Sequence, residues 1–310
     1  MTHPVVTVTV NPALDVALTV DRLVPDHKLP AREHRRDPGG GGINVSRTLA
    51  RLGVESDAWV AAGGPVGDEL VERVRADGVE PIVYQIDGIT REAFAFGDLA
   101  GGEQYRIVVD GPVITDAGAM FDAVLAACSH AEIVVLSGGL ARGLPDGFYA
   151  ELIDALEAPV VIVDAFGPSL PLAVERAPTL VKPSRRELAT LAGRDLRGRS
   201  ELESAAREVL ARGGVGALLV SLGGDGAMLV HRGGPATWLP CPDVEAVAST
   251  VGSGDAMVAG LVAGTLAGHD LSGAAVWGVA AGTASVLAPG TGLLDPADFH
   301  RLLDSVEVSA

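Results

Sequence analysis

The chain lacks what would tie it to nucleic acid, a membrane or an oxidising compartment. Of 310 residues, 23 are Lys or Arg against 40 Asp or Glu, a formal net charge of −17. That balance argues against nucleic acid or an anionic membrane surface as a partner. It also means that an anionic substrate would need a local basic pocket. There are two cysteines, Cys128 and Cys241, far apart and without metal-like spacing. Reduced thiols in the cytoplasm are the simplest reading. No apolar run reaches membrane-spanning length, because Gly, Pro or a charge interrupts each one. Met1 to Val10 shows no basic region leading into an apolar segment, so no secretory signal is read there. Repeats and low-complexity linkers are also missing. A hydrophobic content of 48% is ample for a core.

What the chain does have is organised around Ser249-Thr250-Val251-Gly252-Ser253-Gly254-Asp255, followed by the apolar run Ala256 to Ala263. This reads as a glycine loop opening a buried helix. A helix start presents unpaired N–H groups and partial positive charge, which suits a phosphate. Gly252 and Gly254 let backbone approach a ligand closely. Asp255 would repel that phosphate, so it makes sense as a base taking the proton of an attacking hydroxyl. The plain alternative is that Ser253 or Asp255 only caps the helix.

Val5 to Val10 is β-branched throughout and reads as a buried strand, with Asp15 just past its carboxyl end, where open α/β sheets hold ligands. Val16 to Asp37 breaks into short pieces carrying Lys28, Arg32, Arg35 and Arg36, read as strands outside the main sheet. Pro38 to Gly42 then leads into a helix through Leu52, with Asn44 in its first turn. Trp59–Ala62 and Ile82–Ile86 are further strands around a helix from Gly67 to Ala76. Two alternating stretches flank Gly101-Gly102 and predict a hairpin. From Asp116 the order is regular: helix 116–130, strand 133–137, helix 145–156, strand 160–164, a short strand at 180–182 and a helix from Pro183. A strand pair around Gly223 to Gly226 follows, and helices 272–287 and from Pro296 close the chain. Such alternation predicts a parallel sheet with helices on both faces.

Four motifs in this order resemble the ribokinase-like (PfkB) family of carbohydrate kinases over essentially the whole chain. They are Gly39-Gly40-Gly41-Gly42-Ile43-Asn44, Lys182-Pro183-Ser184-Arg185-Arg186-Glu187-Leu188, Ser221-Leu222-Gly223-Gly224-Asp225-Gly226-Ala227 and Thr250 to Asp255. Within the family the likeness is greatest to the minor-type 6-phosphofructokinase branch, through Lys28-Leu29, Thr90-Arg91, Gly102 to Arg106 and Gly290-Thr291. The 1-phosphofructokinase and tagatose-6-phosphate kinase branches usually carry Lys where Gly41 stands.

The resemblance implies a three-layer α/β/α sandwich (residues 1–310) with a β-sheet lid from about residues 16–37 and 86–110. It implies phosphorylation of a ketohexose phosphate, foremost fructose 6-phosphate, by ATP. The alternatives are the two sibling activities and a non-catalytic sugar-phosphate sensor on the same scaffold. Asp255 is implied as base, and the backbone of Gly252, Ser253 and Gly254 as the hole for the transferring phosphoryl group. Asp15 and Asn44 would bind sugar hydroxyls, with Gly40 and Gly41 giving the sugar room. Lys28 and Arg91 would hold the substrate's own phosphate; a solvated strand face is their plain alternative. Lys182, Ser184, Ser221, Gly223, Gly226, Gly290 and Thr291 fall on the ATP side. Glu187 would hold Mg²⁺ through water, although a lone Glu on a helix is more often surface. A monovalent cation stands as a further candidate cofactor, and a homodimer through the lid as the expected assembly.

Three departures from the family pattern bear on the acceptor. Ser184 stands where Asn is usual, and Ala93 where Asn usually follows Thr-Arg. Ser137-Gly138-Gly139-Leu140-Ala141-Arg142-Gly143 replaces Ser-Gly-Ser-Leu-Pro-Pro-Gly. The hydroxyl lost at Gly139 suggests that Arg142 takes over the contact with the phosphate.

Overall fold

The computed structural model describes residues 3–288, 292–306 and 308. The chain enters as β1 (Val5–Thr9), whose five residues are all buried. It turns at Asn11-Pro12 into β2 (Ala13–Val20) and returns as β3 (Ala31–Gly39). Then come α1 (Gly41–Arg51), β4 (Asp57–Ala62), α2 (Gly64–Ala76), β5 (Pro81–Gln85), β6 (Arg91–Asp98) and β7 (Glu103–Val108). The second half runs α3 (Ala117–Cys128), β8 (Ile133–Ser137), α4 (Phe148–Ala155), β9 (Val160–Asp164), α5 (Ser169–Glu175), β10 (Leu180–Val181), α6 (Arg185–Ala192) and α7 (Arg199–Arg212). It closes with β11 (Ala217–Ser221), β12 (Ala227–His231), β13 (Thr237–Leu239), α8 (Ser253–Leu266), α9 (Leu271–Ser285) and α10 (Pro296–Leu303).

Among the described residues nine strands form one sheet in the order β13-β12-β11-β10-β9-β8-β1-β4-β5. The strands from β11 to β5 are parallel, and β12 runs antiparallel to both its neighbours. The order reverses at β1, and crevices at such a reversal, beyond the carboxyl ends of the strands, hold ligands. The sheet is buried on both faces. Val6, Val8, Leu136 and Val163 pack under α3, α4 and α7 through Met120, Leu152 and Val209. Val5, Val135 and Leu219 pack against α1, α8 and α9 through Leu49, Leu261 and Val279. Burial on both sides accounts for the near-continuous apolar strands.

β3, β2, β6 and β7 form a separate four-stranded sheet. β6 is half-buried along its length and β7 is exposed. The expected separate sheet is thus present, with one correction. Asp15 does not end β1; it lies inside β2, paired with Asp37 of β3 and Ala93 of β6, because the chain leaves the main sheet at Thr9. Three elements escaped the sequence reading: α5, α7 and β13. Pro171 lies in the third position of α5, where helix N–H groups lack intrahelical acceptors anyway, so it does not break the helix.

Candidate active site

The loop at Thr250–Gly254 is the partition between two cavities. On one side lies a cavity of about 720 Å³ roofed by the small sheet, with Asp15, Arg35, Arg91, Arg106, Arg142 and Phe166 in its wall and Val251 at its floor. On the other is a groove of about 360 Å³ lined by Ser221, Gly223, Val247, Met257 and Thr283, with Thr250, Ser253 and Gly254 at its inner end.

Gly252 caps α8 at φ 80°, a left-handed backbone that favours glycine, and no side chain caps this helix. Ser253 Oγ donates to the Thr250 carbonyl at 3.0 Å. Asp255 instead takes a hydrogen bond from Asn44 Nδ2 at 2.9 Å. The capping alternative for these two side chains therefore drops out. Burial pushes the Asp255 carboxyl up to about 7, aided by the nearby Asp164 charge and opposed by the Asn44 hydrogen bond and Lys182.

Lys182 is 5% exposed. Its Nζ lies 3.1 Å from Asp164 Oδ1 and 3.1 Å from where a Cβ on Gly254 would stand. A side chain on Gly254 would therefore crowd the ammonium. Burial works against the Lys182 charge, but Asp164, Asp255 and Glu187 outweigh it and hold the ammonium above its usual range. Asp164 ends β9, one strand from β10 and Lys182. Sequence reasoning gave it no role, although an acidic residue at a strand's carboxyl end was the available signal.

In the larger cavity Asp15 is raised to about 6, by burial first and then by Asp37, while Arg91, Arg47 and Arg106 pull it down. Arg91 Nη2 donates to the Asn11 carbonyl at 3.3 Å. Arg91 Nε and Asn11 Oδ1 are buried without a protein partner, and both residues line the cavity. Such orphaned polar atoms mark a place for a polar ligand. Arg142 lies on the rim, 3.9 Å from Asp110. A Cβ on Gly139 would stand 2.7 Å from the Phe166 ring, so a hydroxyl there needs the ring to move. Arg35, Arg106 and Phe166 are cavity residues that carried no expected role, though Arg106 closes the Gly102–Arg106 motif.

The expected residues are not all gathered here. Gly40 lines the large cavity, and Gly41 packs on Ser137 and Asp255. Lys28 is exposed in the turn between β2 and β3, and it is not part of the cavity wall. Ser184 caps α6 by accepting from Glu187 N at 3.2 Å, while Glu187 Oε2 accepts from Ser184 N at 2.7 Å. That reciprocal box occupies one Glu187 oxygen. Among the described residues no cluster of His, Cys, Asp and Glu could hold a metal ion by itself. Gly226 forms the turn between β11 and β12 outside the groove lining. Gly290 and Thr291 lie outside the described residues.

The sequence profile of the pfkB family carbohydrate kinases matches residues 5–298. The chain belongs to that family. It is 36% identical to the ATP-dependent 6-phosphofructokinase isozyme 2 of Mycobacterium tuberculosis over 97% of this chain and 89% of that protein. The same-named Escherichia coli K12 protein is 32% identical over 96% of each. The crystal structure of Escherichia coli phosphofructokinase-2 in complex with substrates and products superposes with a TM-score of 0.89, at 32% identity over 97% of this chain and 98% of that one.

Proposed function

We propose that this kinase is a 6-phosphofructokinase, transferring the γ-phosphoryl group of ATP to the 1-hydroxyl of fructose 6-phosphate. The observation that carries the reading is the partition: a raised carboxyl behind the glycine loop between an arginine-lined cavity and a mostly uncharged groove. The names and substrate complexes of the relatives supply the sugar.

Sugar hydroxyls bind Asp15 and Asn44, and the sugar's own phosphate binds Arg91 with Arg142. Positive charge concentrated in this cavity holds a dianion that the rest of the acidic surface would repel. Asp255 accepts the proton of the attacking hydroxyl. A carboxyl near 7 is matched to that task, since a base works best with a pKa close to the operating pH. The N-terminus of α8 and Lys182 stabilise the charge that develops on the phosphoryl oxygens. The adenosine part lies in the groove among Ser221, Gly223, Val247, Met257 and Thr283. Mg²⁺, carried with the nucleotide phosphates, neutralises part of their charge. The Glu187 oxygen outside its capping bond is the candidate outer ligand, through water. The E. coli relative has been solved in complex with potassium, and a monovalent cation is carried over as a candidate cofactor.

The test is ADP release with a panel of ketohexoses. Fructose 6-phosphate should give the highest kcat/KM. Unphosphorylated fructose serving equally well would sink the phosphate pocket, and fructose 1-phosphate or tagatose 6-phosphate in first place would reassign the substrate. No turnover with any of them would favour a sensor.

The small sheet is proposed as both lid and homodimer face. β7 and the segment after it expose Tyr105, Ile107, Val108 and Val109, and a sheet of four strands with an open apolar face needs a partner surface. Sedimentation should give a dimer at micromolar concentration; an active monomer would overturn this. The two free thiols, Cys128 buried and Cys241 in the groove, suit a reducing cytoplasm.

A further inference from the structure

The Arg47 side chain is buried on the inner face of α1, and nothing in the expected chemistry uses it. Its Nε donates to Asp77 Oδ2, at the end of α2, at 2.6 Å. Its Nη1 donates to the Pro38 carbonyl at 3.2 Å and to Asn44 Oδ1 at 3.1 Å. Asn44 in turn donates from Nδ2 to Asp255 Oδ2 at 2.9 Å. These contacts form a directed line, Asp77–Arg47–Asn44–Asp255, from the end of one helix to the candidate base.

The direction follows from the chemistry of the groups. A guanidinium has five N–H donors and no acceptor. Whatever atom of Asn44 faces Arg47 must therefore be its oxygen, so its NH₂ is turned to Asp255. An NH₂ can only donate, which ties up Asp255 Oδ2 as an acceptor. The other oxygen, Oδ1, is the one that faces Gly41, 3.2 Å from where a Cβ on that residue would stand. We infer that Arg47 is a positioning residue: by fixing the amide of Asn44 it decides which oxygen of Asp255 is held and which is left to take the substrate's proton. The inference rests on the reading of Asp255 as base.

Without Arg47 the Asn44 amide is no longer fixed, and its carbonyl can turn to accept from the protonated form of Asp255, which favours the acid. That removes the one hydrogen bond that holds the carboxyl down against burial. The other groups acting on Asp255 are Asp164 from β9 and Asp15 from β2, which raise it, and Lys182 from the end of β10, which lowers it. Loss of the Asn44 bond therefore moves Asp255 upward, and turnover should need a higher pH.

The experiment compares Arg47→Lys, Asn44→Ala and the double variant in kcat against pH, with thermal midpoints alongside. Lysine keeps the charge but cannot hold Asp77 and Asn44 together. Arg47→Lys should lower kcat about 10-fold and move its acid limb to higher pH, because a base turned from its productive orientation loses part of its contribution. The double variant should be no worse than Asn44→Ala within about threefold, because residues acting through one another are not additive. Additive losses, or an acid limb that stays in place, would show a packing role only and overturn the inference. If Arg47→Lys does not accumulate folded, Asp77→Asn loosens the guanidinium from its other end. A smaller shift in the same direction supports the relay, and an unmoved limb overturns it. Asp255→Asn separates the two claims: near-normal turnover would remove the base itself, whereas an inactive Asp255→Asn beside an unmoved limb in Arg47→Lys removes only the relay.

Discussion

The two cavities differ in how they meet the solvent and in what they are made of. The acceptor cavity is about 720 Å³ and holds four arginines with Asp15 and Asp37 among its walls, much of it contributed by strands of the small sheet. The groove proposed for the nucleotide is about half that volume at 360 Å³, built by α8, α9, the β11–β12 turn and the segment 241–250 after β13, and Asp243 is the charged residue in its lining. As proposed, one side would recognise by charge and the other by shape and backbone. A charge-based site must exclude water to be strong, which a separate sheet above it can provide. A shape-based site can be held by rigid helices already paid for by the core. On the proposed assignment, recognition of the sugar falls largely on the small sheet, and that of the nucleotide on helices of the main fold with the segment after β13.

The sharpest break is at the joint. Asp255→Asn should lower kcat by about 10²–10⁴-fold while both substrates still bind, and turnover within a few-fold of the parent would return Asp255 to a structural role. The same variant should be more stable at alkaline pH. A carboxyl that sits near 4 when unfolded and near 7 when folded binds more protons in the native state between those values. Stability is then lost as pH rises through that window, and the amide has no charge to bury. At pH 8 the thermal midpoint should rise by about 2 °C or more, and an unchanged midpoint would mean that burial does not strain this group.

Next come the acceptor-side arginines. Arg91→Ala should raise the sugar-phosphate KM by about 10- to 100-fold, corresponding to about 1.5–3 kcal/mol for a charge-assisted hydrogen bond, with the ATP KM nearly unchanged. Arg142→Ala should act in the same direction but less, since Arg142 is 60% exposed on the rim. A KM unmoved for every ketohexose phosphate would place Arg142 outside the site. Adding Gly139→Ser should give no recovery while Phe166 occupies the space beside it.

The smallest effect is expected on the donor side. Gly282 of α9 faces the groove, and a Cβ there would stand 3.1 Å from the Ser253 carbonyl. Gly282→Leu should raise the ATP KM several-fold, roughly 1 kcal/mol of lost fit, and leave the sugar-phosphate KM alone. Equal changes in both constants would show that the loop moves as one piece and that the two compartments are not separable.

The core strands, the βα alternation and the ordered motifs were legible in the linear chain because each depends on neighbours in sequence. Val5–Thr9, Ile133–Ser137 and Val160–Asp164 are short β-branched runs buried on both faces, and that pattern needs no partner to be read. Helix α7 carries the same kind of signal, with Leu202, Ala205, Ala206 and Val209 at helical spacing, but it went unread among its charged residues. The family motifs likewise located Asp255, Asn44, Lys182 and Arg91. Only the tertiary structure decided what these residues touch. Asp164 meets Lys182 because β9 and β10 are adjacent. Phe166 meets Gly139 because the loops after β8 and β9 converge beyond the same sheet edge. Arg47 meets Asp77 from another helix, and Lys28 stays in the β2–β3 turn. The charge of a side chain is written in the sequence, but its pKa, its partner and the oxygen it leaves free depend on distances of a few ångströms between segments far apart in the chain, and those are set by packing.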